Sequence, residues 1–155
     1  MFGTKFKSIL IPIVAIIILL GLIFRNGAPV QEDKKARDTL EELAKLRTAI
    51  NEYYITTGKF PNLTMKGAAS DLSILDYRDE SGKLISFANI YGSKIIPQTP
   101  ATDTLAPSNT IYDTADFSNA NKLGGWNYDY SGSTGEIHAN LPFNAYMQEI
   151  RWEEF

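Results

Sequence analysis

The chain contains no cysteine and a single histidine, His138. That composition excludes disulfides, a cysteine nucleophile and thiolate metal sites, and one histidine leaves no ligand set for an ordinary structural zinc. An excess of basic residues is also missing. Past Arg25 there are twelve basic and eighteen acidic residues, a net charge of −6, and such a surface repels phosphate backbones. Nucleic acid is therefore not an expected partner. No phosphate-binding glycine loop, dinucleotide fingerprint or G-x-S-x-G elbow occurs, and no catalytic set, small-molecule substrate or cofactor is expected.

What the chain does have is a run of sixteen residues without a polar or charged side chain, residues 9–24. At about 1.5 Å rise per residue the run covers roughly 24 Å of a hydrocarbon core about 30 Å thick. Lys5, Lys7 and Arg25 flank it and can snorkel to the interface. The competing reading is a cleaved signal peptide with Lys5 and Lys7 as its basic region. The run is long for that role, no small-x-small site follows, and Pro29 comes soon after. The expectation is a retained anchor, residues 1–28, contacting the bilayer through 9–24, with Ile9, Ile16, Leu20 and Phe24 as lipid-facing and assembly positions. Flanking charge alone leaves the orientation open, because basic residues stand on both sides.

The remaining residues, 29–155, suffice for one domain. Helical spacing of Val30, Ala36, Leu40, Leu43, Ile50 and Tyr54, widened by Leu46, Ala49 and Tyr53, predicts an amphipathic helix over 30–57. Asp33 and Arg37, and Glu41 and Lys45, pair along its polar face, and Gly58 suits the position just past its end. Leu40, Leu43 and Ile50 are candidate assembly residues on the apolar stripe, which also has to serve the domain's core. A variable region, 58–122, follows. Within it the pattern predicts a short helix over 68–75 capped by Ser70 or Asp71, strands over 84–89 and 91–96, and a polar loop over 102–122. Asp103, Asp113, Asp116, Asn119 and Asn121 supply oxygens in that loop without calcium-loop spacing, and read as solvated loop residues.

The clearest β pattern lies at 124–141. Trp126, Tyr128 and Tyr130 alternate with polar residues, two glycines punctuate the turn at 131–135, and 136–140 returns as the partner strand. The three aromatics share a face, expected to pack on the helix. A sugar-stacking surface is the alternative. His138 reads as a surface or edge residue beside Glu136. The tail, 142–155, is expected to end in an amphipathic helix from Ala145 onward.

Three groups of residues, in this order, resemble the type IV pilin and pseudopilin family. An apolar N-terminal helix leads into an amphipathic one. Ala49-Ile50-Asn51-Glu52-Tyr53-Tyr54, then Gly58-Lys59-Phe60-Pro61, is similar to the family's helix exit. Ile96-Pro97-Gln98-Thr99-Pro100, Gly125-Trp126-Asn127-Tyr128 and Gly135-Glu136-Ile137-His138-Ala139-Asn140 resemble its C-terminal tail. The N-terminal Gly-Phe-Thr-Leu-Ile-Glu of the family is replaced here, and residues 9–24 hold no acidic residue. The resemblance implies an α+β fold, with a long helix packed on a small antiparallel sheet. It also implies a structural role in a type II secretion or type IV pilus assembly, with other pilin-like or secretion-machinery proteins as partners. The location implied is the bacterial inner membrane, single-pass, with the C-terminal domain in the periplasm or outside the cell. The runner-up function is a tethered extracytoplasmic module that binds a glycan, calcium or a secreted protein.

Overall fold

The computed structural model describes residues 30–155. The expected anchor, with Ile9, Ile16, Leu20 and Phe24, lies outside the described residues. The fold is α+β, with one long helix and two small sheets. Helix α1, Val30–Thr57, opens with Glu32 and Asp33, whose charges complement the positive end of the helix dipole. Its buried positions are Ala36, Thr39, Leu40, Leu43, Leu46, Ala49, Ile50 and Tyr53, one stripe at helical period. The stripe is shorter than the sequence pattern suggests, because Val30 and Tyr54 are exposed. On the opposite face Lys45 pairs with Glu41 and Glu42, and Lys34 with Asp38. Asp33 accepts a hydrogen bond from Gln148 at 2.7 Å. The helix stops at Gly58, whose φ of +70° is left-handed and whose amide donates to Tyr54 at 2.8 Å.

The variable region departs from its predicted pattern. The helix expected over 68–75 contracts to one 3₁₀ turn, Leu72–Leu75, with Asp71 as its cap. The strand expected over 84–89 breaks after two residues. Strands β1, Tyr77–Arg78, and β2, Leu84–Ile85, pair antiparallel. Ser86 then caps the short helix α2, Phe87–Tyr91, by accepting from the Asn89 amide, and Gly92 ends it. Alternation through 84–89 misled because a serine with a free hydroxyl competes for the next turn's amides. No strand forms over 91–96.

The main sheet has the order β3–β4–β5. Strands β4, Trp126–Tyr128, and β5, Ile137–Ala139, form the expected hairpin, with Trp126 opposite Ala139 and Tyr128 opposite Ile137. Strand β3, Ile111–Asp113, lies inside the expected loop and runs parallel to β4, so the sheet is mixed and not purely antiparallel. Three residues flanked by Asn, Thr and Asp carry no readable period. The pairing is set at long range, where Trp126 donates to the Thr110 carbonyl at 2.8 Å and Thr114 to Tyr128 at 3.1 Å. The expected terminal helix is also replaced. Positive φ at Asn144, Met147 and Glu149 folds the tail into tight turns that end in a 3₁₀ turn, Trp152–Glu154. Even so, that tail buries Tyr146, Ile150 and Trp152.

Close backbone approach makes one glycine decisive. A Cβ on Gly125 would stand 2.2 Å from the Thr110 carbonyl oxygen, and its φ is +77°. Gly125→Ala is expected to cost about 2–4 kcal/mol, from clash and left-handed strain together. Gly82→Ala, in open space at φ +81°, should cost only about 1 kcal/mol. Urea unfolding of the full chain, followed by tryptophan emission, checks the difference.

Candidate functional site

The seam between α1 and the hairpin is where the chain concentrates its chemistry. On α1, Leu46 and Ile50 face inward and Arg47 lies between them along the sheet edge. The Arg47 guanidinium donates twice to the Ile137 carbonyl, at 3.1 and 2.7 Å, and again to the backbone oxygen of Phe155. One side chain thus ties helix, β5 and tail together. Burial pulls its pKa below the usual value, and the nearby Glu136 carboxylate works against that pull. A planar guanidinium with fixed donors suits this bridging where an ammonium would not.

An open groove of about 510 Å³ runs beside the seam, lined among others by Arg47, Tyr54, Phe60, Glu136, His138 and Phe155. His138 lies on β5, an edge strand as one expectation had it, but it is buried and not at the surface. Its ring lies 4.2 Å from that of Phe117, and its Nε2 is 3.0 Å from Glu136 Oε1, as its position beside Glu136 suggests. Burial is the main cause of a lowered His138 pKa. The Glu136 hydrogen bond opposes it, and the charge of Arg47 adds to the lowering. The imidazole is accordingly neutral at pH 7, buried and packed against the Phe117 ring at one side of the groove.

The hairpin aromatics split. Trp126 and Tyr128 are wholly enclosed, while Tyr130 is half-buried. Trp126 Nε1 donates to the Pro97 carbonyl at 2.8 Å, and the Tyr128 hydroxyl to the Pro61 carbonyl at 2.9 Å. They are core residues with satisfied polar ends, and a sugar has no access to their faces. Leu40, Leu43 and Ile50, the candidate assembly residues, are each only 2% exposed. The structure commits them to the domain's own core. In the acidic loop, Asp113 accepts from the amides of Tyr130 and Ser131, and Asp116 from Ser118 and Asn119. These carboxylates organise turns. Among the described residues no three His, Asp or Glu side chains gather as a metal site.

Two polar residues were passed over in the sequence. Asn140 is buried, and its amide donates to Asn121 at 2.6 Å and to the Gly124 carbonyl at 3.1 Å. Its oxygen accepts from the Lys122 amide and from Asn127. Asp129, also buried, accepts from the Gly132 amide and the Thr134 hydroxyl, which shapes the hairpin turn. Asn140 closes the family-like stretch 135–140, the only signal that pointed to it. The chain matches no family model, no curated protein and no solved structure.

The His138 environment makes stability depend on pH. A histidine whose folded pKa lies below its ordinary 6.5 contributes stability that is complete above that value. The contribution is lost as pH falls toward the folded pKa, because the unfolded chain then binds the extra proton. The urea midpoint should therefore drop below about pH 6.5, and His138→Gln should flatten that part of the profile relative to the parent.

Proposed function

We propose that this chain is a membrane-anchored, pilin- or pseudopilin-like structural subunit or accessory of a type II secretion or type IV pilus-type machine, acting by assembly and not by catalysis. The observation that carries the reading is the convergence of the residues that resemble the family. The helix exit Phe60-Pro61 meets the hairpin, where Pro61 accepts from Tyr128 and a Cβ at Gly135 would strike the Phe60 ring at 2.3 Å. Pro97 accepts from Trp126, and Asn140 pins the loop before β4. Residues scattered over some eighty positions thus form one contact set around the end of α1 and the hairpin. Such a set is what a helix-led domain on a short tether requires to stay rigid.

In this reading residues 9–24 cross the inner membrane once and the domain lies on the outer side. The stripe Leu40, Leu43 and Ile50 acts indirectly, by holding α1 on its sheet. Contacts with neighbours fall to residues 9–24 and to the charged face that carries Lys34, Asp38, Glu41 and Lys45. Among the described residues no helix is long and apolar enough to cross a membrane.

The absence of native cysteine allows a direct test. Single cysteines at Ile16, Leu20 and Glu41 are oxidised in intact cells, with Leu40→Cys as a buried control. A ladder of multimers is expected for a filament subunit, or one discrete adduct with another protein for an accessory, with Leu40→Cys silent. Monomer at all of the first three positions would overturn the proposal.

A further inference from the structure

The tail packs on the first turns of α1, the end nearest the apolar run. Gln148 reaches Asp33 at 2.7 Å, and Tyr146 is buried with its hydroxyl on the Pro100 carbonyl at 2.8 Å. Between these inward residues the backbone is forced outward. Asn144, Met147 and Glu149 have φ of 60°, 57° and 53°, a left-handed conformation that methionine and glutamate rarely adopt. Hydrogen bonds hold it, from the Met147 amide to the Asn144 carbonyl at 3.0 Å and from the Glu149 amide to Asn144 Oδ1 at 2.9 Å. The result leaves Phe143 55% and Met147 54% exposed, while Tyr146 and Ile150 between and beside them are buried. Val30, 86% exposed, adds a third apolar side chain at the same end.

Position along the chain says what this surface meets. Val30 stands six positions after Phe24. Six residues reach at most about 20 Å when extended and about 9 Å as helix. The first turn of α1, and the tail bonded to it, are therefore held close to the edge of any bilayer that contains residues 9–24. Of the nearby charges, Glu32 pairs with Lys35 and Asp33 accepts from Gln148, while Glu149 is an exposed carboxylate within the turns themselves. Two protruding apolar side chains beside a bilayer edge have the chemistry of an interfacial anchor.

We propose that the turns at 142–150 are a membrane-docking surface, with Phe143 and Met147 seated in the interfacial layer of the bilayer that holds the anchor. The proposal rests on residues 9–24 being a span. Docking would fix the tilt of the domain over the membrane.

The test uses the full chain in vesicles of neutral phosphatidylcholine, with an environment-sensitive fluorophore on single cysteines at Leu20, Phe143, Met147 or Lys59. Lipids carrying spin labels report bilayer contact by quenching. Lys59 lies past the far end of a 28-residue helix, about 40 Å away. Labels at Leu20, Phe143 and Met147 should be quenched and the label at Lys59 should not. With the label at Phe143, Met147→Asp should lower the docked-to-free ratio by about tenfold, the loss of one buried apolar side chain, with tryptophan emission unchanged. If Leu20 is quenched while Phe143 and Met147 match Lys59, the span stands and docking is overturned. If Leu20 is not quenched, the span falls and docking with it. Shielding of Phe143 and Met147 that grows with protein concentration and shows no lipid quenching would assign the surface to a second copy, which also overturns the proposal.

Discussion

The apolar face of α1 between positions 36 and 53 has its partner in the hairpin, α2 and the tail, and among the described residues these elements share one hydrophobic core. A helix of this length is only marginally stable alone in water, because nucleation is costly and propagation gains little per residue. A hairpin of two three-residue strands is weaker still. Burying Leu40, Leu43, Leu46 and Ile50 stabilises by about 1.5–3 kcal/mol for each side chain, and that gain exists only when both surfaces meet. The charge-assisted bonds from Arg47 to the Ile137 and Phe155 backbone oxygens then tie helix, strand and tail at this seam.

Around this seam the polar interior is closed by side chains reaching far along the chain. Tyr128 to Pro61, Trp126 to Pro97, Tyr146 to Pro100 and Asn109 to Ala69 each satisfy a carbonyl in a segment with little regular structure. Three of these acceptors are proline carbonyls, in segments whose fixed φ keeps them extended. The variable region is thus ordered by donors from the hairpin, the tail and its own Asn109.

Much of this was legible in the sequence. The helical stripe, Gly58 as its stop and the Trp126–Tyr128 hairpin follow from local period and turn chemistry, and the structure has all three. Strand β3 was not legible, because Ile111, Tyr112 and Asp113 become a strand only through parallel pairing with residues fifteen positions later. Alternation at 84–89 lost to the Ser86 cap. The terminal helix lost to left-handed turns at Asn144, Met147 and Glu149, conformations that only Asn among these three favours. Burial of His138 was hidden as well, since Phe117, the ring against it, sits in a loop with no pattern of its own. Which apolar stripe residues serve the core was open in the sequence, and the packing decides it for Leu40, Leu43 and Ile50.

The dependence of helix and hairpin on each other is tested most directly by native-state amide hydrogen exchange, read by mass spectrometry on the full chain. If the seam is the central constraint, peptides covering 36–53 and 126–139 should open together, with the same free energy and the same response to low urea. Protection of the 36–53 peptide that outlasts the hairpin, or a hairpin that stays closed after the helix has exchanged, would contradict the account.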